Sequence, residues 1–151
     1  MLVTNHVLSG SGIGAVVRRP AAAFALGVAS HFALDAAPHW GKFGSGRAYL
    51  RVAVPDGLIG LAVMGTMTAL APRGSRVAVV AGMAGAALPD LDKPSRLFFG
   101  RSPFPPAVDH FHSRIQCEAS RRAHFEATAA VIFASVAVAL LRGRERNRVT
   151  T

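Results

Sequence analysis

The chain has 151 residues, one domain's worth, with 51% hydrophobic residues, only 17% charged and a mean hydropathy of +0.35. Soluble domains carry about a quarter charged residues, so the balance points to a membrane protein or an unusually apolar helical domain. The net charge of +9 is almost all arginine, but no basic stretch interleaves with aromatics as a nucleic-acid surface does, so no nucleic acid is expected as a partner.

In chain order, the first helix is expected over 5–17, with Thr4 or Asn5 as its N-cap. Arg18-Arg19-Pro20 interrupts it. Proline suits a helix start and not a helix interior, so a second helix is expected over 20–37. Pro38, Gly41, Gly44 and Gly46 mark a loop. The third helix covers 48–70, started or kinked by Pro55, and the turn 72–76 leads to a fourth over 77–88, stopped by Pro89. Residues 93–113 hold four prolines and little periodicity and read as a long loop. A fifth helix is expected over 118–141, and the basic tail 142–151 reads as an anchor at the membrane surface. The only cysteine, Cys117, rules out an intramolecular disulfide. The start of the chain lacks the pattern of a secretory signal, so the first segment is expected to be retained.

Crossing a bilayer takes roughly 20 residues of helix. Helices two, three and five reach that length, while one and four are shorter. The expected fold is therefore an all-α polytopic membrane helix bundle of four to five helices over 1–141. The segments are apolar around the whole helix, which favours the membrane over a soluble helical bundle. With alternating directions, all six histidines and seven of the eight carboxylates fall at one end of the bundle. Lysine and arginine divide eight to nine between the two sides, which gives the positive-inside rule nothing to act on. The histidine-free turns are short and almost purely basic, and on that ground are assigned to the cytoplasm. The histidine end then faces the extracytoplasmic side of the cell membrane.

A convergence of imidazole and carboxylate is what a divalent metal needs. His31 and Asp35 are four apart, about 40° around a helix, and so share a face; His39 continues it if the helix persists past Pro38. They bind one metal together, or Asp35 orients His31; the plainer alternative is a helix-end histidine paired with a carboxylate. Asp90 and Asp92 lie between Pro89 and Pro94, a stiff extended clamp placed to cap no helix N-terminus. Their like charges call for a metal or for Lys93 between them. His110 and His112 point the same way only on extended backbone. His124 and Glu126 are two apart, so at most one of them faces the site. Asp56, after Pro55, reads as a carboxylate favoured by a helix dipole. Gly10, Gly12 and Gly14 follow no strand and make no dinucleotide fingerprint, so they read as helix-packing residues. No nucleophilic serine motif is present.

Four motifs carry a resemblance. They are Asn5-His6 at the head of the first helix, His31-x-x-x-Asp35, Leu88-Pro89-Asp90-x-Asp92 ahead of a proline, and His112-Ser113 downstream. With them the chain resembles, over most of its length, the YdjM-like family of predicted membrane-bound metal-dependent hydrolases. The family pattern is similar to Pro-Asp-x-Asp-His-Pro followed by His-Arg-Gly-x-Thr-His-Ser. Here Lys93 stands in place of the first histidine, and the second segment is reduced to Asp109-His110-Phe111-His112-Ser113. The resemblance implies a reaction class and leaves the substrate open.

The expected site holds a divalent metal at one membrane face, with His6, His31, Asp35, Asp90, Asp92 and His112 as ligands or their immediate supports. Mixed histidine and aspartate suit zinc first, then manganese or iron. The metal would acidify a water and polarise an ester or phosphoester, with a spare aspartate, Asp92 or Asp35, as general base. Membrane lipids are the expected partners, and a lipid or lipid-linked phosphoester is the expected substrate. The rival is a non-catalytic small integral membrane protein or partner subunit with a degenerate metal site, favoured by Lys93.

Overall fold

A computed structural model describes residues 1–149, with side chains through Gly143. Its described residues form seven α-helices, a 3-10 turn and one pair of two-residue strands. The all-α expectation is met. Helix α1 spans Val3–Val17 and α2 spans Pro20–Ala36, with Pro20 in the first turn of α2. Arg18 ends α1 in the left-handed region at φ 61°, its amide donating to the Gly14 carbonyl. Ala37 is extended ahead of Pro38, as pre-proline sterics require. His39 therefore leaves the helix and forms strand β1, His39–Trp40. Helix α3 spans Gly46–Leu70, continuing through Pro55, with the Ser45 hydroxyl accepting from the Ala48 amide. Helix α4 spans Arg76–Ala87.

The stretch expected as a loop is largely helical. A 3-10 turn, Leu88–Leu91, runs into α5, Asp92–Phe99, which Gly100 closes at φ 70°. Helix α6 spans Pro106–Ile115. The prolines of this region sit where they are tolerated, in first turns and between helices. Strand β2, Glu118–Ala119, pairs in parallel with β1, His39 opposite Glu118 and Trp40 opposite Ala119. Helix α7, Ala123–Val149, starts later than expected because β2 takes Glu118, and it continues through the region expected as a tail. The arginine side chains at 144, 146 and 148 lie outside the described residues.

Helix α1 is central, packed against α2, α3, α4 and α7. Val7, Leu8, Ala15, Met67, Val79, Met83, Ala137 and Leu141 form the apolar core. The α1–α4 crossing is close enough for the backbones to touch. A Cβ on Gly82 would fall on the Gly10 carbonyl oxygen and 3.1 Å from the Gly14 nitrogen. Small residues permit this approach, as in helix pairs that associate by packing alone.

Two helices are long and apolar enough to cross a membrane, α3 with 25 residues and the 21 residues of α7 from Ala123 to Gly143. Only 17% of the apolar window of each is buried in the protein, whereas the central helix of a soluble fold would be mostly enclosed. Helix α2 has 17 residues and falls short of the expected spanning length.

Candidate metal centre

The head of α1, the foot of α2, the 3-10 turn and the end of α6 meet at one end of the bundle. Asp35 is at the centre and fully buried. Its Oδ2 lies 3.2 Å from His31 Nε2 and 3.0 Å from His112 Nε2, and those two nitrogens are 3.0 Å apart. Asp90 Oδ1 lies 3.9 Å from the first and 4.0 Å from the second. These four residues offer ligand atoms all within 4.8 Å of one another. Tetrahedral donors at metal bonds of about 2.0–2.1 Å stand roughly 3.3 Å apart, so the set closes on a cation with small rotations.

The tautomers sharpen the geometry. His31 Nδ1 donates to the Ala86 carbonyl at 2.7 Å, which leaves the Nε2 electron pair facing inward. His112 Nδ1 faces Asp92 Oδ2 at 3.6 Å, while its Nε2 lies within hydrogen-bond distance of both Asp35 Oδ2 and His31 Nε2. Carbonyl and carboxylate partners of this kind hold metal-ligating histidines in place. The His31 electron pair, His112 Nε2 and Asp35 Oδ2 then meet around one point, which a proton on His112 Nε2 or a cation can fill. A proton on His112 can serve: burial pulls its pKa down, but the bonds to Asp35 and Asp92 overcome this and raise it to about 9. A metal ion could serve the same three donors.

His6 and Asp92 stand one layer back. His6 Nε2 donates to the other oxygen of Asp35, Oδ1, at 3.2 Å, and its ring stacks on His31 with centroids 3.9 Å apart. The Met1 amino group lies 2.6 Å from that same oxygen. Asp92 Oδ1 is buried without a hydrogen-bond partner. Asp90 and Asp92 do not form an extended clamp. They lie in the 3-10 turn and the first turn of α5, where the helix N-terminus favours a carboxylate. Lys93 Nζ bonds Asp90 Oδ1 at 2.7 Å. Burial pulls Asp90 upward, but Lys93, then His6 and His31, hold it down to about 2. Burial likewise opposes the charge on Lys93, and Asp90 outweighs it, so the ammonium loses its proton only above its ordinary range.

Of the six expected residues, four converge and two support them. The extended reading of His110 and His112 gives way to helix α6, which turns His112 inward and leaves His110 exposed. His39 is fully buried away from the cluster, its Nε2 3.9 Å from Glu118 Oε1. His124 is exposed and Glu126 buried, as the two-residue spacing required. Asp56 caps a helix other than its own: from α3 it accepts from the Val3 amide at 2.7 Å and the Thr4 amide at 3.2 Å. Thr4 and Asn5 are thus inside α1 and not its cap. One group escaped sequence reasoning, and the role of another was not foreseen. Gln116 Nε2 lies 3.4 Å from Asp35 Oδ2 and 3.2 Å from His112 Nε2, and nothing in its sequence context marks it. Glu126 accepts from Asn5 Nδ2 at 2.6 Å, from the Leu2 amide at 3.2 Å and from the Trp40 amide at 3.1 Å. It thereby ties α7 to α1 and β1, a role that its spacing from His124 did not reveal.

The class of protein this defines is an all-helical chain with two helices fit to cross a membrane and a buried histidine–aspartate cluster able to hold a metal ion. No protein-family model, curated protein or solved structure matches the chain.

Proposed function

We propose that the cluster is a divalent metal centre and that the chain is a membrane-bound, metal-dependent hydrolase of the YdjM-like kind. The observation that carries this reading is the inward convergence of His31 Nε2, His112 Nε2 and Asp35 Oδ2 at 3.0–3.2 Å, with the far nitrogen of each ring directed at another acceptor. His31, His112, Asp35 and Asp90 are the ligands, and zinc is the metal that mixed nitrogen and oxygen donors suit best, ahead of manganese or iron. A cation there supplies Lewis-acid polarisation of an ester or phosphoester oxygen. His6 fixes the orientation of the Asp35 carboxylate. Asp35 itself, bonded on both oxygens, acts as ligand and leaves the proton work to Asp92. Asp92, whose Oδ1 has no hydrogen-bond partner, is the carboxylate left over for a general base.

Helices α3 and α7 are the membrane anchors of this reading, which places the protein in the cell membrane with the site at headgroup level. A lipid or lipid-linked phosphoester is then the substrate class within reach. We assign the site to the extracytoplasmic side because the turns at the opposite end are short and basic. One observation favours a second reading: the Lys93–Asp90 ion pair supplies positive charge without a metal, as in a non-catalytic membrane subunit. Metal analysis of the purified protein separates the two. Stoichiometric divalent metal in the wild type, lost in both His31→Ala and Asp90→Ala, supports the hydrolase. A metal-free wild type after growth in supplemented medium sinks it.

A further inference from the structure

Helices α5 and α6 differ from the rest of the fold. They are its strongly amphipathic helices, and they follow the 3-10 turn at the site end. The Arg96 guanidinium bonds Asp109 at 2.7 Å and Ser102 Oγ donates to the same carboxylate at 2.8 Å, which locks the two helices into a hairpin. The polar side of the hairpin carries Asp92 and His112 into the metal centre. Its other side presents Leu97, Phe98, Phe99 and Phe111 to the outside, with Phe98 75% and Phe99 78% exposed. Two adjacent phenylalanines this open are costly in water.

The surroundings identify what covers them. Both candidate spans start at this end of the bundle, so the hairpin emerges where a bilayer would begin. Between residues 91 and 115 there are four basic and two acidic residues, and Arg101 and Arg114 are exposed with no carboxylate partner among the described residues. Arg47, Arg51 and Arg121 are exposed at the heads of the two spans. An aromatic tip within a ring of arginines is the chemistry of a helix lying in the interface of an anionic bilayer. We infer that the α5–α6 hairpin is an interfacial anchor, with Leu97, Phe98 and Phe99 inserted among the acyl chains and the arginines on anionic headgroups. The inference rests on the membrane reading above. It also ties the hairpin to the metal centre. Asp92 and His112 lie near its two ends, so seating it on the lipid surface holds both at headgroup level.

The test uses the full chain with Cys117→Ser, reconstituted in vesicles containing phosphatidylglycerol and carrying one nitroxide on an introduced cysteine. The labelled variants are Phe98→Cys, Val131→Cys on α7 and Arg73→Cys in the opposite turn. Collisions with oxygen and with a water-soluble nickel chelate report depth. At 98 the oxygen-to-nickel ratio is expected to be several-fold above that at 73 and to approach that at 131. Arg101→Gln with Arg114→Gln, or vesicles of phosphatidylcholine alone, should lower the ratio at 98 and leave 131 unchanged. A water-like ratio at 98 beside a lipid-like one at 131 overturns the anchor and spares the membrane reading. Low access to both reagents at 98 means a protein contact and also overturns it. A water-like ratio at 131 overturns both.

Discussion

Lys93 decides between the two readings of the centre, and Lys93→Met puts the decision in reach. The substitution keeps most of the apolar stem and removes the charge. In the wild type the ammonium sits 2.7 Å from Asp90 Oδ1, the oxygen that faces both His31 and His112. Asp90 is held from 3.8 down to about 2 in spite of its burial, with Lys93 the largest of the favourable influences. The charges around Asp90, Lys93 foremost, thus outweigh its burial by about 2 kcal/mol, a net electrostatic grip on the carboxylate. A divalent cation must displace or share that grip, so losing it is worth up to about thirtyfold in affinity. His6 and His31 supply part of the effect, which brings the expected gain nearer about tenfold. Competition against a chromophoric chelator, with zinc titrated into detergent-purified protein, measures it directly. An affinity that is unchanged or weaker in Lys93→Met would refute the reasoning. A large fall in Tm with no metal bound in either protein would show that the ammonium is the cation the cluster is built around.

Three further outcomes follow from the packing and the polar contacts. Gly82→Ala places a methyl on the backbone of Gly10, where nothing can rotate away. Overpacking of this kind costs about 1–3 kcal/mol, and a thermal melt should show Tm several degrees lower; an unchanged Tm would mean that the α1–α4 crossing has room for a methyl after all. Asp56→Ala leaves the Val3 and Thr4 amides uncapped and should cost about 1–2 kcal/mol. Asn in place of Ala should recover part of that in chemical denaturation, and equal losses would argue against capping. Glu118 is held below its ordinary 4.5 by His39, with burial opposing. A depressed folded-state value stabilises above the unfolded value and is lost as pH falls through the folded one. Tm of the wild type should therefore drop more steeply below about pH 4.5 than that of Glu118→Gln, and parallel curves would contradict the pairing.

The boundaries of α1, α2, α3 and α4 were legible because prolines and arginines interrupt apolar runs, and such interruptions act locally. The same logic failed between Asp92 and Ile115. There the prolines mark the starts of short helices as readily as they mark loops, and a short amphipathic helix has too few turns to show its period. The pairing of His31 with Asp35 was readable from spacing within one helix. The role of Asp56 was not, because a carboxylate on α3 that caps α1 leaves no trace in the sequence around either.

By itself, the sequence determined an all-helical, unusually apolar chain whose histidines and aspartates gather at one end, since periodicity, proline and charge are properties of neighbouring residues. Only the tertiary structure decided which of them meet. It chose His112 over His110 because α6 turns one inward, and Glu126 over His124 for the same reason on α7. It sent His39 away from His31 because α2 stops at Ala36. It set His6 and Asp92 behind the four convergent donors, and it brought Lys93 onto Asp90. Each of these depends on how one helix lies against another, and a cluster built from α1, α2, the 3-10 turn and α6 exists only once those helices have packed.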